Sequence, residues 1–323
     1  MENFKKPVLI FLIAFWGFLT RAQELQTNIS VHDPVIIKQD NTFYIFGTGR
    51  GIALWSSQDL KYWKKEQQIF NTPPPWTQKA VSGFKDYFWA PDISFFKGKY
   101  YLYYSISTFG KNTSAIGLAT NKTLNPSNKN YKWEDRGMIM QSLPGINNWN
   151  AIDPNLVADK RGRLFLVFGS FWEGLKLIKL SRNGTHVNQG LEKLPTLASR
   201  GTEPNAIEAP FIFRKNNFYY LFASIDYCCK GESSTYKMIV GRSKKIEGPY
   251  LDKTGTTLAT GGGSILLEGD KKWYGVGHCA VYNSGNSDYL IFHGYDASDK
   301  GKPKLRIEKL RWNKEKWPEV APY

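Results

Sequence analysis

Cysteine and histidine are scarce in this chain of 323 residues, with three of the first and four of the second. Two of the cysteines, Cys228 and Cys229, are adjacent, and no cysteine–histidine spacing matches a zinc site. No strand–turn–helix G-x-S-x-G is present to support a serine nucleophile. No Pro/Gly/Ser linker or low-complexity tract divides the chain, so residues 23–323 are expected to form one large domain. Apolar runs long enough to cross a membrane are also missing. The nearest candidate, Pro7 to Leu19 behind Lys5-Lys6, is too short and wrongly flanked for a span. With Thr20 and Ala22 at the −3 and −1 positions it reads as a removable signal peptide, residues 1–22. No cysteine follows that cut to carry a lipid. The expectation is a secreted or periplasmic protein without membrane insertion.

Basic residues, by contrast, are abundant. The formal net charge of +15 invites a nucleic-acid reading, but the lysines are scattered over turns with no basic helix or RNA-binding signature. No nucleic-acid partner is expected. A basic balance suits an exported protein that stays near acidic polysaccharide such as pectin, and a merely soluble basic surface explains it as well. Adjacent Cα atoms lie about 3.8 Å apart, below the usual disulfide range, so Cys228-Cys229 reads either as a strained vicinal bridge or as two packed thiols.

The chain repeats a sentence. Asn150 to Trp172 places Asp153 beside a proline, then an apolar run, a Lys160-Arg161-Gly162 turn and a second apolar run, a hairpin pattern. Similar units open at Asp33, Asp92 and Glu208, and a fifth is read at Gly263 in Gly262-Gly263-Ser264. By their numbers these five positions stand 59, 61, 55 and 55 residues apart. Five hairpins at a near-constant period, each followed by further short β-rich runs, predict an all-β, five-bladed β-propeller. The alternative is a long β-sandwich with coincidental spacing.

In a propeller the innermost strand of each blade begins near one end of the central channel. Asp33, Asp153 and Glu208 would then face one another there, an expensive arrangement unless it does chemistry. Two carboxylates flanking a glycosidic bond suffice for hydrolysis, one as acid and one as base or nucleophile. A third can keep the acid's pKa raised. Asp92 has a different phase and reads as a strand cap. Aromatic residues gather at the same hairpin ends. Trp89 and Trp172 read as sugar platforms, while Phe109 and Phe171 read equally as platform or core. His278 falls in the unit that lacks an acid and reads as packed, with a metal or water-network role as the alternative.

At these residues the sequence resembles a known family. H-D-P-V at 32–35, F-W-A-P-D-I at 88–93, F-G-K-N-T-S-A-I-G at 109–117, W-N-A-I-D-P at 149–154, G-S-F-W at 169–172, I-E-A-P-F-I at 207–212 and G-G-G-S at 261–264 look like glycoside hydrolase family 43. Within it they are most similar to endo-α-1,5-L-arabinanases. The resemblance implies hydrolysis of linear arabinan with inversion, Asp33 as general base, Glu208 as general acid and Asp153 as the residue that tunes and holds Glu208. Inversion needs roughly 6.5–9.5 Å between acid and base. It also implies substrate contacts at Asp33, Gly117, Asn150, Ala151, Ile152, Asp153, Ser170, Phe171 and Trp172, with Trp89 and Phe109 stacking on arabinose rings. His278 matches a family histidine at a channel ion site, read as calcium held mostly by water. Cys279 and Ala280 depart from the small polar residues expected after it. Cys228-Cys229 resembles a C-C segment near the substrate cleft. The protein is expected to act as a monomer. An exo-acting arabinofuranosidase or β-xylosidase on the same fold is the alternative, and a non-catalytic carbohydrate-binding propeller is a third reading.

Overall fold

Alternation on both flanks of the strands decides the architecture. In Phe218–Ile225, residues Tyr219, Leu221, Ala223 and Ile225 join one buried cluster, while Tyr220 and Phe222 join another. Successive side chains of a strand point to opposite faces, so a continuous apolar run is a strand buried on both sides. Tyr100, Leu102 and Tyr104 against Tyr101 and Tyr103 repeat the arrangement, as do Phe165 and Val167 against Leu164, Leu166 and Phe168. Such a strand needs a sheet packed on each flank, and the chain supplies it by closing a ring.

A computed structural model describes Met1, residues 28–192 and residues 194–320. The expected signal peptide, residues 1–22, lies outside the described residues. Five antiparallel sheets follow one another along the chain. Blade one is Val35–Gln39, Thr42–Gly47, Ala53–Ser57 and Lys64–Lys65. Blade two is Tyr87–Phe96, Lys99–Ile106, Ser114–Asn121 and Glu134–Ser142, with the two-residue strand Gly49–Arg50 added at its inner edge. Blade three is Asn155–Ala158, Leu164–Phe168, Leu175–Lys179 and Thr196–Ala198. Blade four is Ile207–Lys215, Phe218–Ile225, Lys237–Ser243 and Ser264–Leu267. Blade five is Trp273–Ser284, Ser287–Asp296, Lys302–Trp312 and Pro318–Val320. First strands contact in ring order, that of blade five touching that of blade one. Each seam holds an apolar cluster. The closing seam sets Ile29, Val31, Ile36, Phe43, Ile45 and Trp55 against Ile291, and Leu305 N–H donates to Ile29 O at 3.0 Å. This is the predicted five-bladed propeller.

The fifth unit is corrected. Ser264–Leu267 pairs with Lys237–Ser243 as the outermost strand of blade four, and blade five begins at Trp273. Gly263 therefore opens no blade. The true marker is backbone conformation. Asp33, Ala90, Asp153, Ala209 and His278, one per blade, hold φ of 51, 43, 56, 54 and 53°. In blades two, four and five the pairing register shifts beside this residue, a β-bulge. Left-handed backbone at a residue other than glycine costs on the order of 1–3 kcal/mol, and here it turns one part of every blade toward its neighbours.

Candidate active site

Three of these five kinked positions bear the polar chemistry. Asp33 and His278 meet across the closing seam, His278 Nδ1 lying 3.1 Å from Asp33 Oδ1. On the same oxygen His32 Nδ1 sits at 2.8 Å, and Thr48 Oγ1–H donates to Asp33 Oδ2. The Asp33 N–H donates to His293 Nδ1 at 3.2 Å, so the proton of that buried ring is on Nε2. Burial works against the Asp33 charge, but the His278 and His32 imidazoles outweigh it and hold the carboxyl well below its ordinary value. His278 answers in kind. Burial disfavours the imidazolium, yet the Asp33 charge and hydrogen bond, with Asp153 and Glu208 behind them, push it up to about 9.

The other two acids behave in the opposite way. Asp153 Oδ2 accepts the Ala209 N–H at 3.1 Å, and the Asp153 N–H donates to Ser105 Oγ at 3.0 Å. Glu208 accepts from Ser170 Oγ–H and from the Tyr236 hydroxyl, each at 2.8 Å. Burial raises the pKa of both carboxyls. The charges of Glu208 and Asp33 add to the rise at Asp153, and Asp33 adds to it at Glu208. Two interacting carboxyls titrate as a pair, and this pair keeps a proton well above the usual carboxylate range while Asp33 stays ionised. The site thus combines a carboxylate suited to act as base with raised carboxyls suited to act as acid.

Asp92 is not part of it. Its oxygens accept from Asn155 Nδ2 and Leu156 N, each at 2.9 Å, tying blade two to blade three. The strand-cap reading thus becomes an inter-blade clamp, with burial pushing the carboxyl up to about 6.

Around the acids, Asn150, Ala151 and Ile152 are buried, and Asn150 Oδ1 has no protein partner although the residue is only 3% exposed. A buried acceptor left open is costly unless something else meets it. Ser170 is buried on Glu208. Phe171 and Trp172 follow in a left-handed turn, Phe171 and Trp89 half-buried, Trp172 36% exposed and Phe109 79% exposed. Gly117 is buried in a middle strand, where a Cβ would stand 2.6 Å from the Trp76 and Tyr104 rings. The structure therefore gives Gly117 a packing reason. Cys228 and Cys229 form the vicinal disulfide, and Cys279 is a buried free thiol.

Sequence patterns gave no role to His32, Thr48, Tyr236 or His293. Each lies outside the hairpin-opening positions, so no repeat marks it. For an ion, His278 would have to give up a proton and offer Nε2, its Nδ1 keeping the contact with Asp33, and a carboxylate behind a ligating imidazole is a common support. Among the described residues, the close groups of three ligand-type side chains are His32–Cys228–Cys229 and His32–Asp33–His293, neither including His278. An ion on His278 therefore fits only with water completing its shell.

The sequence profile of glycosyl hydrolases family 43 matches residues 27–318. The chain belongs to this family. It is 47% identical over 300 residues to an extracellular exo-α-(1→5)-L-arabinofuranosidase of Cellvibrio japonicus, covering 90% of this chain and 86% of that one. It is 43% identical over 309 residues to an extracellular endo-α-(1→5)-L-arabinanase of Bacillus subtilis, covering 94% and 90%. Among solved structures, a Cellvibrio cellulosa α-L-arabinanase complexed with arabinohexaose superposes with a TM-score of 0.88 at 45% identity, covering 91% of this chain and 96% of that one. With the acid and base groups above, this family 43 chain is a glycoside hydrolase.

Proposed function

We propose that the protein hydrolyses internal α-1,5-L-arabinofuranosidic bonds of linear arabinan, with inversion at the anomeric carbon. One observation carries the reading: at one site the Asp33 carboxyl is held well below its ordinary range, while burial and neighbouring charge raise those of Asp153 and Glu208. That division is what acid–base hydrolysis of a glycoside needs at neutral pH. Asp33 takes a proton from the attacking water, and Glu208 gives its proton to the leaving oxygen. Asp153 positions Glu208 through Ala209 and keeps its proton on. Phe109, Trp89, Phe171 and Trp172 face the apolar sides of arabinose rings, and Asn150 Oδ1 accepts from a sugar hydroxyl. His278 would hold a calcium ion through Nε2, with water completing the shell, and when bound the ion supplies positive charge beside the carboxylates. The protein is exported, in keeping with the relatives named extracellular, and acts as a monomer.

Internal cleavage is supported by the Leu143–Asn148 connection. Ile146 and Asn147 N–H both fold back on Leu143 O, making a tight turn whose Ile146 is 75% exposed. A short turn closes no end of a groove. The exo reading remains the second, because a relative at 47% identity is named an exo-enzyme. A product time course on linear arabinan, branched arabinan and xylan separates them. A fast viscosity fall with a ladder of oligosaccharides is expected. Monosaccharide alone from the first minutes would establish the exo mode, and no products with binding retained would make this a lectin-like propeller.

A further inference from the structure

His32 links Asp33 to the rim of the site. Its Nδ1 lies 2.8 Å from Asp33 Oδ1 and its Nε2 2.9 Å from the Tyr295 hydroxyl. That same hydroxyl accepts the Cys229 N–H at 2.7 Å. Cys229 belongs to the Cys228–Cys229 disulfide ring, holds a φ of 66° and places Sγ 3.8 Å from His32 Nε2. The His32 ring is stacked on His293 at 3.9 Å between centroids, which fixes its plane.

The direction of these hydrogen bonds follows from the donor inventory. A peptide N–H can only donate, so Cys229 uses one lone pair of the Tyr295 oxygen. The Ser234 hydroxyl, which stabilises the charged phenol oxygen, takes the other as a donor, leaving the hydroxyl proton for His32. A hydroxyl donating to Nε2 makes that nitrogen the acceptor and puts the ring proton on Nδ1, facing Asp33. The opposite tautomer would set a lone pair against the carboxylate.

We propose that Tyr295 is a positioning residue for Asp33, setting the tautomer of His32 through its hydroxyl, and that the Cys228–Cys229 ring holds Tyr295 from the rim. The inference rests on Asp33 being the general base. It also makes turnover sensitive to reduction. An added dithiol delivers two electrons and two protons, the S–S bond opens to two thiols, and the dithiol closes to its own disulfide. Cys229 then leaves the ring, and the Tyr295 anchor loosens.

The test compares Tyr295→Phe, the double variant Cys228→Ser/Cys229→Ser and Asp33→Asn with the wild type. Steady-state kinetics on linear arabinan are read beside the ¹⁵N resonances of labelled histidine. Tyr295→Phe keeps the ring and its packing, and should lower kcat about 10- to 100-fold with little change in KM, as loss of an orienting partner does. His32 should pass from a single Nδ1-protonated tautomer to a mixture. Wild type in dithiothreitol should fall to the activity of the double variant and recover on reoxidation, with no response from the double variant. Wild-type kcat in Tyr295→Phe, or a lowered kcat with an unchanged tautomer, overturns the positioning role. A dithiol-insensitive wild type with its disulfide shown to be reduced overturns the role of the ring. Should Tyr295→Phe fail to fold, the double variant carries the tautomer test alone. Full activity in Asp33→Asn would instead overturn the base assignment, so the two failures are distinct.

Discussion

Asp153 Oδ2 holds the N–H of Ala209, the residue after Glu208, across the seam between blades three and four. One carboxylate thus fixes the backbone that carries another. Position and charge can be separated there, because an asparagine retains an oxygen for the Ala209 N–H but loses the like charge. Asp153→Asn should lower kcat/KM about 10²–10⁴-fold, the usual scale for acid–base groups. It should also move the alkaline limb of the pH profile downward, because Glu208 no longer shares its site with a second acid. A pH–rate profile checks both, and an unmoved limb would separate Asp153 from the titration of Glu208.

Tyr236→Phe should shift the same limb the other way. The Tyr236 and Ser170 hydroxyls hydrogen-bond the ionised Glu208 and oppose the rise caused by burial. Removing either donor leaves burial less opposed, so the acid keeps its proton to higher pH. The alkaline limb of kcat/KM should rise in Tyr236→Phe and in Ser170→Ala.

Asp92→Asn should damage stability and spare turnover. An amide in place of the carboxylate turns one N–H toward the donors of Asn155 or Leu156, leaving a buried donor unmet at a cost of about 1–3 kcal/mol. The sign of the pH dependence follows from burial, which lifts the folded Asp92 to about 6, above its unfolded value. Its contribution to stability is full below the unfolded pKa, about 4, and is lost as pH rises through about 6. Denaturant midpoints across that window should show this component in the wild type and not in the variant.

Chelation tests the ion. A chelator should lower the thermal midpoint of the wild type by a few degrees, on the order of 2–4 °C per kcal/mol for a large domain, and added calcium should restore it. His278→Ala should be indifferent to both. An equal response in that variant would place the ion elsewhere.

Phe109→Ala and Trp172→Ala should raise KM for linear arabinan by roughly 10-fold, as expected for an aromatic contact worth about 1 kcal/mol or somewhat more. Turnover should change little, since neither ring touches the acids. Unchanged KM in both would remove them from the substrate path.

Much of this arrangement was legible in the chain. Alternating apolar runs and their spacing marked four of the blade-opening hairpins, and Asp33, Asp153 and Glu208 stood at their starts. The fifth hairpin was misplaced because Gly262-Gly263-Ser264 imitates an opening, whereas His278 lies inside the long strand Trp273–Ser284. No side-chain pattern announces the kink there, since what repeats from Asp33 to His278 is a left-handed φ carried by aspartate, alanine or histidine. The spacing likewise left the state of Cys228-Cys229 open until the structure joined the two sulfurs.

By itself, the sequence determined the number of blades and the supply of carboxylates, because strand period and hairpin spacing are local properties. Only the tertiary structure decided what each carboxylate is. Asp33, Asp92, Asp153 and Glu208 are all withdrawn from water, and burial pushes every one toward its neutral form. His278 and His32 keep Asp33 charged, Asp92 is spent on clamping two blades, and burial with mutual repulsion raises the Asp153 and Glu208 carboxyls. Those partners come from distant parts of the chain and meet only when the ring closes.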